Sequence, residues 1–460
     1  MNTGYMELPD NVYIVLRLLK DAGYSAYVVG GCCRDFILGK KPNDYDVATS
    51  ATPEQMIEVF DGLRTIPTGI QHGTITVVIG SDSIECTTYR LDGEYLDYRT
   101  PDKVVFLNSI EDDLMRRDFT VNAIAYNPWK GFVDPMGGIK DVGNSVIRCV
   151  GKAENRFNED ALRILRAMRF AAQLGFKIEE ETSRAIHNQK HLLDKISKER
   201  IQSELCKILM SRFGGNKVLD EYSDVLCQII PDIKPMIDFD PKDRWNCYDV
   251  WKHTMKSMDR LYINNEKDAD IITRLALLFH DIGKPHCEVK HDERGFRTYE
   301  DNPQISAKMT YKILRDLKFS NEIVGYVTQL ISYRCVSFED YIPMVDLKKL
   351  LNKIGEKQLF RLLFLEECNA RYGMILQCTQ NRRSCAIDAA HYDANSIIEY
   401  CQCYSLKQLA INGDDLIELG VPQGKEVGAL LEKLLDMVIE GNVNNNKNEL
   451  IEMAEEIINV

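Results

Sequence analysis

Two carboxylates separated by a single residue, Asp44 and Asp46, give the strongest chemical signal in this sequence of 460 residues. Side chains two apart on a β-strand point to one face, so the pair is expected to project together. Converging carboxylates suit divalent cations, especially Mg²⁺ that also binds substrate phosphates. Two such ions roughly 3.5–4 Å apart could activate an attacking hydroxyl and stabilise a leaving pyrophosphate. Glu85, on a later predicted strand, is a candidate third carboxylate.

A Gly-Gly-Cys-Cys-Arg-Asp segment at residues 30–35 precedes these carboxylates by a short loop. Glycines lack Cβ atoms, so a triphosphate could approach the backbone closely at Gly31, and Arg34 could clamp it through two hydrogen bonds. A lone Gly-Gly or Asp-x-Asp is more often an ordinary loop or a solvated turn. Their combination in a strand–turn–helix–strand context is far more specific and predicts a phosphate-binding turn beside a metal site.

The run Arg-Arg-Asp-Phe-Thr-Val-Asn-Ala at residues 116–123 is a second polar pattern. Arg117 could hold phosphate, while Asp118 and Asn122 could hydrogen-bond a ribose hydroxyl. The alternative is an Arg–Asp pair that only stabilises the start of a helix. The neighbouring motifs favour the first interpretation.

A third pattern lies in residues 159–170, where Asp160, Arg163, Arg166 and Arg169 recur every three residues and are predicted to share a helix face. A carboxylate that accepts from an exocyclic amine, with a guanidinium that donates to a ring nitrogen, would admit cytosine and adenine. Uracil and guanine present the reverse pattern and would cost ~1–3 kcal/mol per unmade bond. The alternative is an ordinary ion pair on a solvated face.

The elements that must position these motifs change in type along the chain. Residues 10–22 are predicted to form a helix that Asp10 caps and Gly23 ends. Beyond about residue 145, helical periodicity is nearly continuous to the end of the chain. The sequence therefore predicts an α+β fold, with a small mixed α/β head followed by an all-helical remainder. Strands are predicted in the head at residues 27–29, 45–48, 74–79 and 84–89.

Composition narrows the class of protein. The net charge of −13 and the pI near 5.3 argue against a surface that binds nucleic acid everywhere through basic charge. Residues 142–217 nevertheless hold fifteen Lys or Arg against nine Asp or Glu, which predicts a local basic surface and salt-sensitive binding of nucleic acid. The absence of a long apolar run or a signal sequence, together with scattered cysteines, predicts a cytoplasmic protein without a membrane span.

The three motifs resemble those of class II CCA-adding enzymes, the tRNA nucleotidyltransferases, and bacterial poly(A) polymerases share the set. Residues 197–205 and 412–428 resemble later parts of the same family. The resemblance implies addition of C, C and A to the 3′ end of tRNA from CTP and ATP, with Mg²⁺. It implies that Asp44 and Asp46 bind the metals, while the nucleotide contacts Gly31, Arg34 and Arg117 and is selected or held by Asp160, Arg163, Arg166 and Arg169.

The resemblance also implies a domain order. A nucleotidyltransferase head at residues 1–145 is followed by a helical neck at 146–220, an HD-like helical body at 221–345 and a helical tail at 346–460, expected to bind tRNA. Alternatives within the same chemistry are a poly(A) polymerase and an enzyme that adds only CC or only A. Residues 90–107 resemble a flexible loop retained in complete CCA-adding enzymes, which favours full CCA synthesis.

A second candidate site lies in the body, where His253 and the pair His280-Asp281 resemble the metal ligands of HD phosphohydrolases. Asn302 and the Tyr333-Arg334 pair stand where that family expects further histidines. A scaffold role is therefore favoured over active hydrolysis. The alternative from another class is an HD-domain phosphohydrolase whose head is a degenerate RNA-binding module.

Overall fold

The computed structural model describes residues 4–70, 73–92, 104–243, 248–263, 269–335, 341–372 and 377–458. Within these residues the chain forms two compact units, Met1–Pro231 and Asp232–Val460. Mixed helix and strand in the first unit, followed by mainly helical structure, confirm the predicted α+β fold. No helix among the described residues has the length and apolar character needed to cross a membrane.

The first unit contains one seven-stranded sheet and short two-stranded ladders. The strands of this unit are β1 (Ala26–Val29), β2 (Asp46–Thr49), β3 (Arg64–Gly69), β4 (Thr74–Ile79), β5 (Asp82–Thr88), β6 (Arg90–Asp92), β7 (Val104–Phe106), β8 (Ala125–Asn127), β9 (Gly131–Val133), β10 (Val146–Ile147) and β11 (Lys177–Ile178). The order in the large sheet is β3-β4-β5-β2-β1-β8-β9. The interior strand β1 is buried at all four positions, which its Ala-Tyr-Val-Val sequence allows.

Helices pack against this sheet and form most of the rest of the first unit. The prediction for residues 10–22 is confirmed with one correction: Asp10 is the first helical residue and caps nothing with its side chain, since Pro9 precedes the helix. The helices are α1 (Asp10–Asp21), α2 (Gly31–Ile37), α3 (Pro53–Val59), α4 (Ile110–Met115), α5 (Gly138–Asn144), α6 (Ala153–Glu159), α7 (Leu162–Leu174), α8 (Glu180–Gln189), α9 (Lys198–Leu209), α10 (Gly215–Glu221) and α11 (Ser223–Ile229).

The predicted continuous helix across residues 159–170 is wrong. Asp160 has extended backbone angles, φ −138° and ψ 103°, and separates α6 from α7. Its carboxylate accepts a hydrogen bond at 3.1 Å from the backbone N–H of Leu162, the first residue of α7. A helix start leaves such N–H groups without intrahelical partners, so the aspartate serves the new helix rather than continuing the old one.

The second unit is built from helices apart from one short two-stranded ladder among its described residues. Its core is formed by buried aliphatic side chains, as in α13, where every residue from Ile272 to Phe279 is buried. The elements are α12 (Val250–Ile263), α13 (Ile271–Phe279), β12 (Lys290–His291), β13 (Arg297–Thr298), α14 (Asn302–Asp316), α15 (Asn321–Ser332), α16 (Met344–Ile354), α17 (Glu356–Tyr372), α18 (Gln377–Glu399), α19 (Gly413–Glu418), α20 (Lys425–Glu440) and α21 (Lys447–Ile458).

Candidate active site

The register of the large sheet places two of the predicted carboxylates side by side. Strand β2 runs parallel to β5 with Val47 opposite Cys86, so Asp46 and Glu85 are neighbours on adjacent strands. Val47 and Cys86 are fully buried, whereas Asp46 and Glu85 are exposed. The alternation along each strand therefore turns both acids to the same open face of the sheet.

Asp44 joins this pair, although it precedes β2 by two residues rather than lying within the strand. The pKa of Asp46 is raised by partial desolvation, and then by the negative charges of Asp44 and Glu85, while Arg117 opposes the shift. The three carboxylates thus lie close enough to repel one another. A divalent cation with oxygen ligands would relieve this repulsion, so the donor set fits such an ion.

The turn that begins α2 lies beside these acids, because Val29 at the end of β1 pairs with Asp46. The following residue, Gly30, has φ +80°, and a Cβ atom there would lie 3.2 Å from Nη1 of Arg117. Gly30 is therefore the position that requires glycine. Gly31 is the first residue of α2, and a Cβ atom there would make an ordinary 3.6 Å contact with Nη2 of Arg34.

A chain of hydrogen bonds connects α2 to α7 through the second motif. Arg34 donates from Nη1 to Oδ1 of Asn122 at 2.6 Å, and Asn122 donates to Oδ1 of Asp118 at 3.4 Å. Arg166 donates from Nε to Oδ2 of Asp118 at 2.8 Å and also pairs with it through Nη2. Burial opposes ionisation of Asp118, but Arg166 lowers its pKa below the ordinary value. Four of the predicted nucleotide-binding residues thus belong to one network.

Arg117 is positioned by a residue that the sequence analysis missed. Asp113, on α4, accepts a hydrogen bond from Arg117 at 3.2 Å and another from Arg116 at 2.7 Å. Burial opposes ionisation of Asp113, yet the two arginines lower its pKa. The i,i+3 and i,i+4 spacing between Asp113 and the Arg-Arg pair could have predicted these contacts. It was overlooked because Asp113 stands in an acidic run.

Asp160 and Arg163 lie near each other in sequence but have separate partners. Asp160 accepts from Nη2 of Arg200 at 2.9 Å, in the motif at residues 197–205. Arg163 is buried and donates from Nη1 to Oε2 of Glu159 at 2.5 Å, and from Nη2 to the carbonyl oxygen of Arg116 at 3.2 Å. The i,i+3 ion pair considered as an alternative is therefore replaced by other partners.

The last predicted arginine, Arg169, packs against Phe170 and a buried acid. Its guanidinium carbon lies 4.3 Å from the centroid of the Phe170 ring, while those of Arg166 and Arg34 lie at 5.5 and 5.7 Å. Arg169 also donates to Oε1 of Glu204 at 3.2 Å, a second residue that the sequence analysis missed. Phe170 thus gathers three cations from α2 and α7, which suits an anionic ligand.

The candidate body site is also assembled, in the second unit. The ligand atoms of His253, His280 and Asp281 all lie within 4.8 Å of one another, and the three residues are buried. Asn302 and Arg334, which stand where further histidines were expected, both donate to Oδ1 of Asp281 at 2.9 Å. The predicted residues therefore meet, but their carboxylate is already paired.

Comparisons with known proteins match this architecture part by part. A family model described as "Poly A polymerase head domain" matches residues 26–148. A second, "Probable RNA and SrmB-binding site of polymerase A", matches residues 175–235, and a third, for tRNA nucleotidyltransferase domain 2, matches residues 302–454.

Full-length relatives agree with these matches. The CCA-adding enzyme of Ligilactobacillus salivarius is 32% identical over 96% of this chain and 95% of its own length. That of Enterococcus faecalis is 32% identical over 96% and 94% of the two chains. The Bacillus stearothermophilus CCA-adding enzyme, solved in complex with CTP, is 29% identical with a TM-score of 0.71, covering 99% of this chain and 98% of that one. By sequence and by fold, this chain belongs to the family of CCA-adding enzymes, which are tRNA nucleotidyltransferases.

Proposed function

We propose that this chain adds C, C and A in turn to the 3′ end of tRNA, using CTP and ATP and releasing pyrophosphate. The observation that carries the proposal is the convergence of Asp44, Asp46 and Glu85 on one exposed face of the sheet, beside the turn into α2. The relatives named as CCA-adding enzymes, one of them holding CTP, support it. We place the reaction in the cytoplasm, where tRNA and nucleoside triphosphates are available.

We propose that Asp44 and Asp46 hold Mg²⁺, as two ions, with Glu85 adding negative charge at the site. The chemistry that such ions supply when bound is activation of the attacking hydroxyl and neutralisation of phosphate charge. The guanidinium of Arg117 lies beside Gly30 and acts on the charge of Asp46, and the guanidinium of Arg34 lies beside Gly31. They suit the triphosphate, which Gly31 would let approach the backbone.

Selection of the base is assigned to Asp160 and Arg163, because both retain hydrogen-bonding capacity after their protein contacts. Each carboxylate oxygen of Asp160 accepts one bond, from Leu162 and from Arg200, which leaves a further acceptor position on each. Arg163 donates through both terminal nitrogens, and its five N–H groups exceed the three bonds it makes. Asp160 accepts a hydrogen bond from the exocyclic amine of the base, and Arg163 donates one to the ring nitrogen. Cytosine and adenine both present this amine beside this nitrogen.

The division into head, neck, body and tail is also proposed. The family matches at residues 26–148, 175–235 and 302–454 support a head, a neck and a tail, with the third match beginning inside the proposed body. Strands β6 and β7 lie within the segment at residues 90–107 that resembles the flexible loop of complete CCA-adding enzymes, and residues 93–103 of that segment lie outside the described residues.

The test is incubation of the full chain with tRNAs that end before C, after C or after CC, with each nucleoside triphosphate supplied separately. We expect cytidylate at the first two positions, adenylate only at the third, and no further extension. Continued adenylate addition would instead establish a poly(A) polymerase, and a stop at CC or addition of A alone would establish a partial enzyme.

The matched variants are Asp46→Asn and Asp61→Asn, which each remove one exposed carboxylate from the head. Asp46→Asn should abolish transfer while leaving the melting temperature within a few degrees of wild type. Asp61→Asn, in the turn after α3, should retain full activity. Retained transfer in Asp46→Asn would overturn the assignment of the site.

A further inference from the structure

The buried cluster of His253, His280 and Asp281 contains the residue types of a metal site, but cationic side chains of the protein already pair with its carboxylate. The resemblance to HD phosphohydrolases implies a divalent ion at this position. Two observations speak for such an ion: Nδ1 of His253 and Nε2 of His280 are buried and have no hydrogen-bond partner. Nδ1 of His280 bonds the carbonyl oxygen of Leu277 at 2.7 Å, which leaves Nε2 as the free acceptor.

The carboxylate of the cluster, however, already accepts hydrogen bonds from three donors of the protein. Oδ1 of Asp281 accepts from Nδ2 of Asn302 and from Nη1 of Arg334, each at 2.9 Å. Oδ2 lies 3.3 Å from the ammonium nitrogen of Lys284. A metal ion bound to Oδ1 would have to displace Asn302 and Arg334, and one bound to Oδ2 would lie beside the ammonium group of Lys284.

Arg334 cannot easily move aside, because three hydrogen bonds fix its guanidinium. Nη1 donates to the carbonyl oxygen of His280 at 2.9 Å as well as to Asp281, and Nε donates to Oε1 of Glu366 at 3.1 Å. Glu366 is buried at 2% exposure and also pairs with Arg383. Arg334 therefore bridges the end of α13 to α17 through two buried carboxylates.

Among the described residues, the charged groups paired around this cluster balance without a metal. Three carboxylates share the region with three cations, since Lys284 also pairs with Asp243 at 2.9 Å. An added divalent ion would leave two uncompensated positive charges in a dry interior, where an unpaired ion costs several kcal/mol or more. The acids are Asp243, Asp281 and Glu366, and the bases are Lys284, Arg334 and Arg383.

We propose that Arg334, with Asn302, takes the place of a metal ion in this cluster, so that the body site is metal-free and has a structural role. The guanidinium supplies the positive charge that would otherwise come from the ion, and Asn302 supplies a donor where a ligand would be needed. The body then contributes no metal-dependent hydrolysis, which removes the support for a phosphohydrolase function of this chain.

The test is Co²⁺ binding by the full chain, measured by equilibrium dialysis and by the visible absorption of the ion. The parent protein carries Asp44→Asn and Asp46→Asn, so that the head carboxylates do not contribute. Its cobalt content should be unchanged by His253→Gln, because the cluster binds none. The double change Asn302→His with Arg334→His restores two imidazoles and removes one cation, and it should add about one Co²⁺ per chain that His253→Gln abolishes.

Each result bears on the proposal. About one Co²⁺ per chain in the parent, lost on His253→Gln, would overturn it whether or not the restored variant folds. A restored variant that melts cooperatively but gains no cobalt would show that Arg334 and Asn302 are not what excludes the metal. A gain confined to the restored variant, with a cobalt-dependent rise in its melting temperature, is the result that supports the proposal.

Discussion

Acidification between pH 7 and pH 5 should destabilise the second unit through two histidines. Burial, the largest cause, lowers the pKa of His253 to about 4 and that of His280 to about 3. In the unfolded chain an imidazole has a pKa of about 6.5. Between these pKa values, both histidines bind a proton in the unfolded state but not in the folded state. Stability from these groups is present above pH 6.5 and is lost as the pH falls towards the folded pKa values.

The size of the effect follows from the difference between these pKa values. A pH of 5 lies roughly 1.5 units below the pKa of an unfolded imidazole, whereas each buried imidazole is still neutral in the fold. The free energy of unfolding therefore falls by about 2 kcal/mol for each histidine. The two together cost about 4 kcal/mol, a large part of the stability of an ordinary domain. Asp281 adds little in this window: burial opposes its ionisation, but cationic neighbours including Lys284 and Arg334 hold its pKa well below the usual range.

The assay is urea unfolding followed by the fluorescence of Trp251, which is 2% exposed and two residues from His253. The other tryptophans, Trp129 and Trp245, are replaced by Phe so that the signal reports the body alone. His253→Gln should roughly halve the loss of stability between pH 7 and pH 5. His191→Gln, at an exposed position in the neck, should leave the loss as in wild type. Equal unfolding midpoints of the wild type at both pH values would refute the reasoning.

The remaining predictions concern the head and neck. Asp118→Asn removes the buried charge that pairs with Arg166, and it should destabilise the first unit by roughly 3 kcal/mol and raise the KM for CTP; an unchanged thermal melt would contradict this. Gly30→Ala should lower stability by about 1–2 kcal/mol, because of its positive φ and its contact with Arg117, whereas Gly31→Ala should fold normally and weaken only nucleotide binding. Neutralising exposed neck lysines should flatten the salt dependence of tRNA binding without changing nucleotide choice, and an unchanged slope would count against electrostatic binding there.

The carboxylate site could be found from the sequence because its information is local. The alternation around Asp46 and Glu85 needs only a few residues of strand. Asp44 lies outside β2, but it is only two residues from Asp46. The residues that position this site could not be found in the same way. Glu204 acts through Arg169, and their proximity depends on the packing of α9 against α7. Asp113 acts through arginines three and four residues away, a local spacing that was hidden within an acidic run.

Two short strands and one helix break were not predicted from the sequence, because their local signals are weak. Strands β8 and β9 have three residues each, too short for alternation to distinguish them from loop. The break at Asp160 was hidden because apolar and basic residues continue the helical period on both sides of it. The available signal was the aspartate itself, placed just before a strongly apolar run, where its carboxylate can accept from the first N–H groups of a new helix.

The structure changes the meaning of the basic neck. From the sequence alone, the arginines of α7 are interpreted as surface charge available to nucleic acid. Arg163, Arg166 and Arg169 are instead neutralised by Glu159, Asp118 and Glu204, and the side chains of Arg163 and Arg169 are only 9% and 11% exposed. A paired and fixed guanidinium contributes little to the long-range attraction of phosphates, but it can present a defined set of N–H donors to a single base or phosphate. The α7 row therefore suits nucleotide recognition rather than long-range attraction, and we propose that exposed lysines outside it attract tRNA.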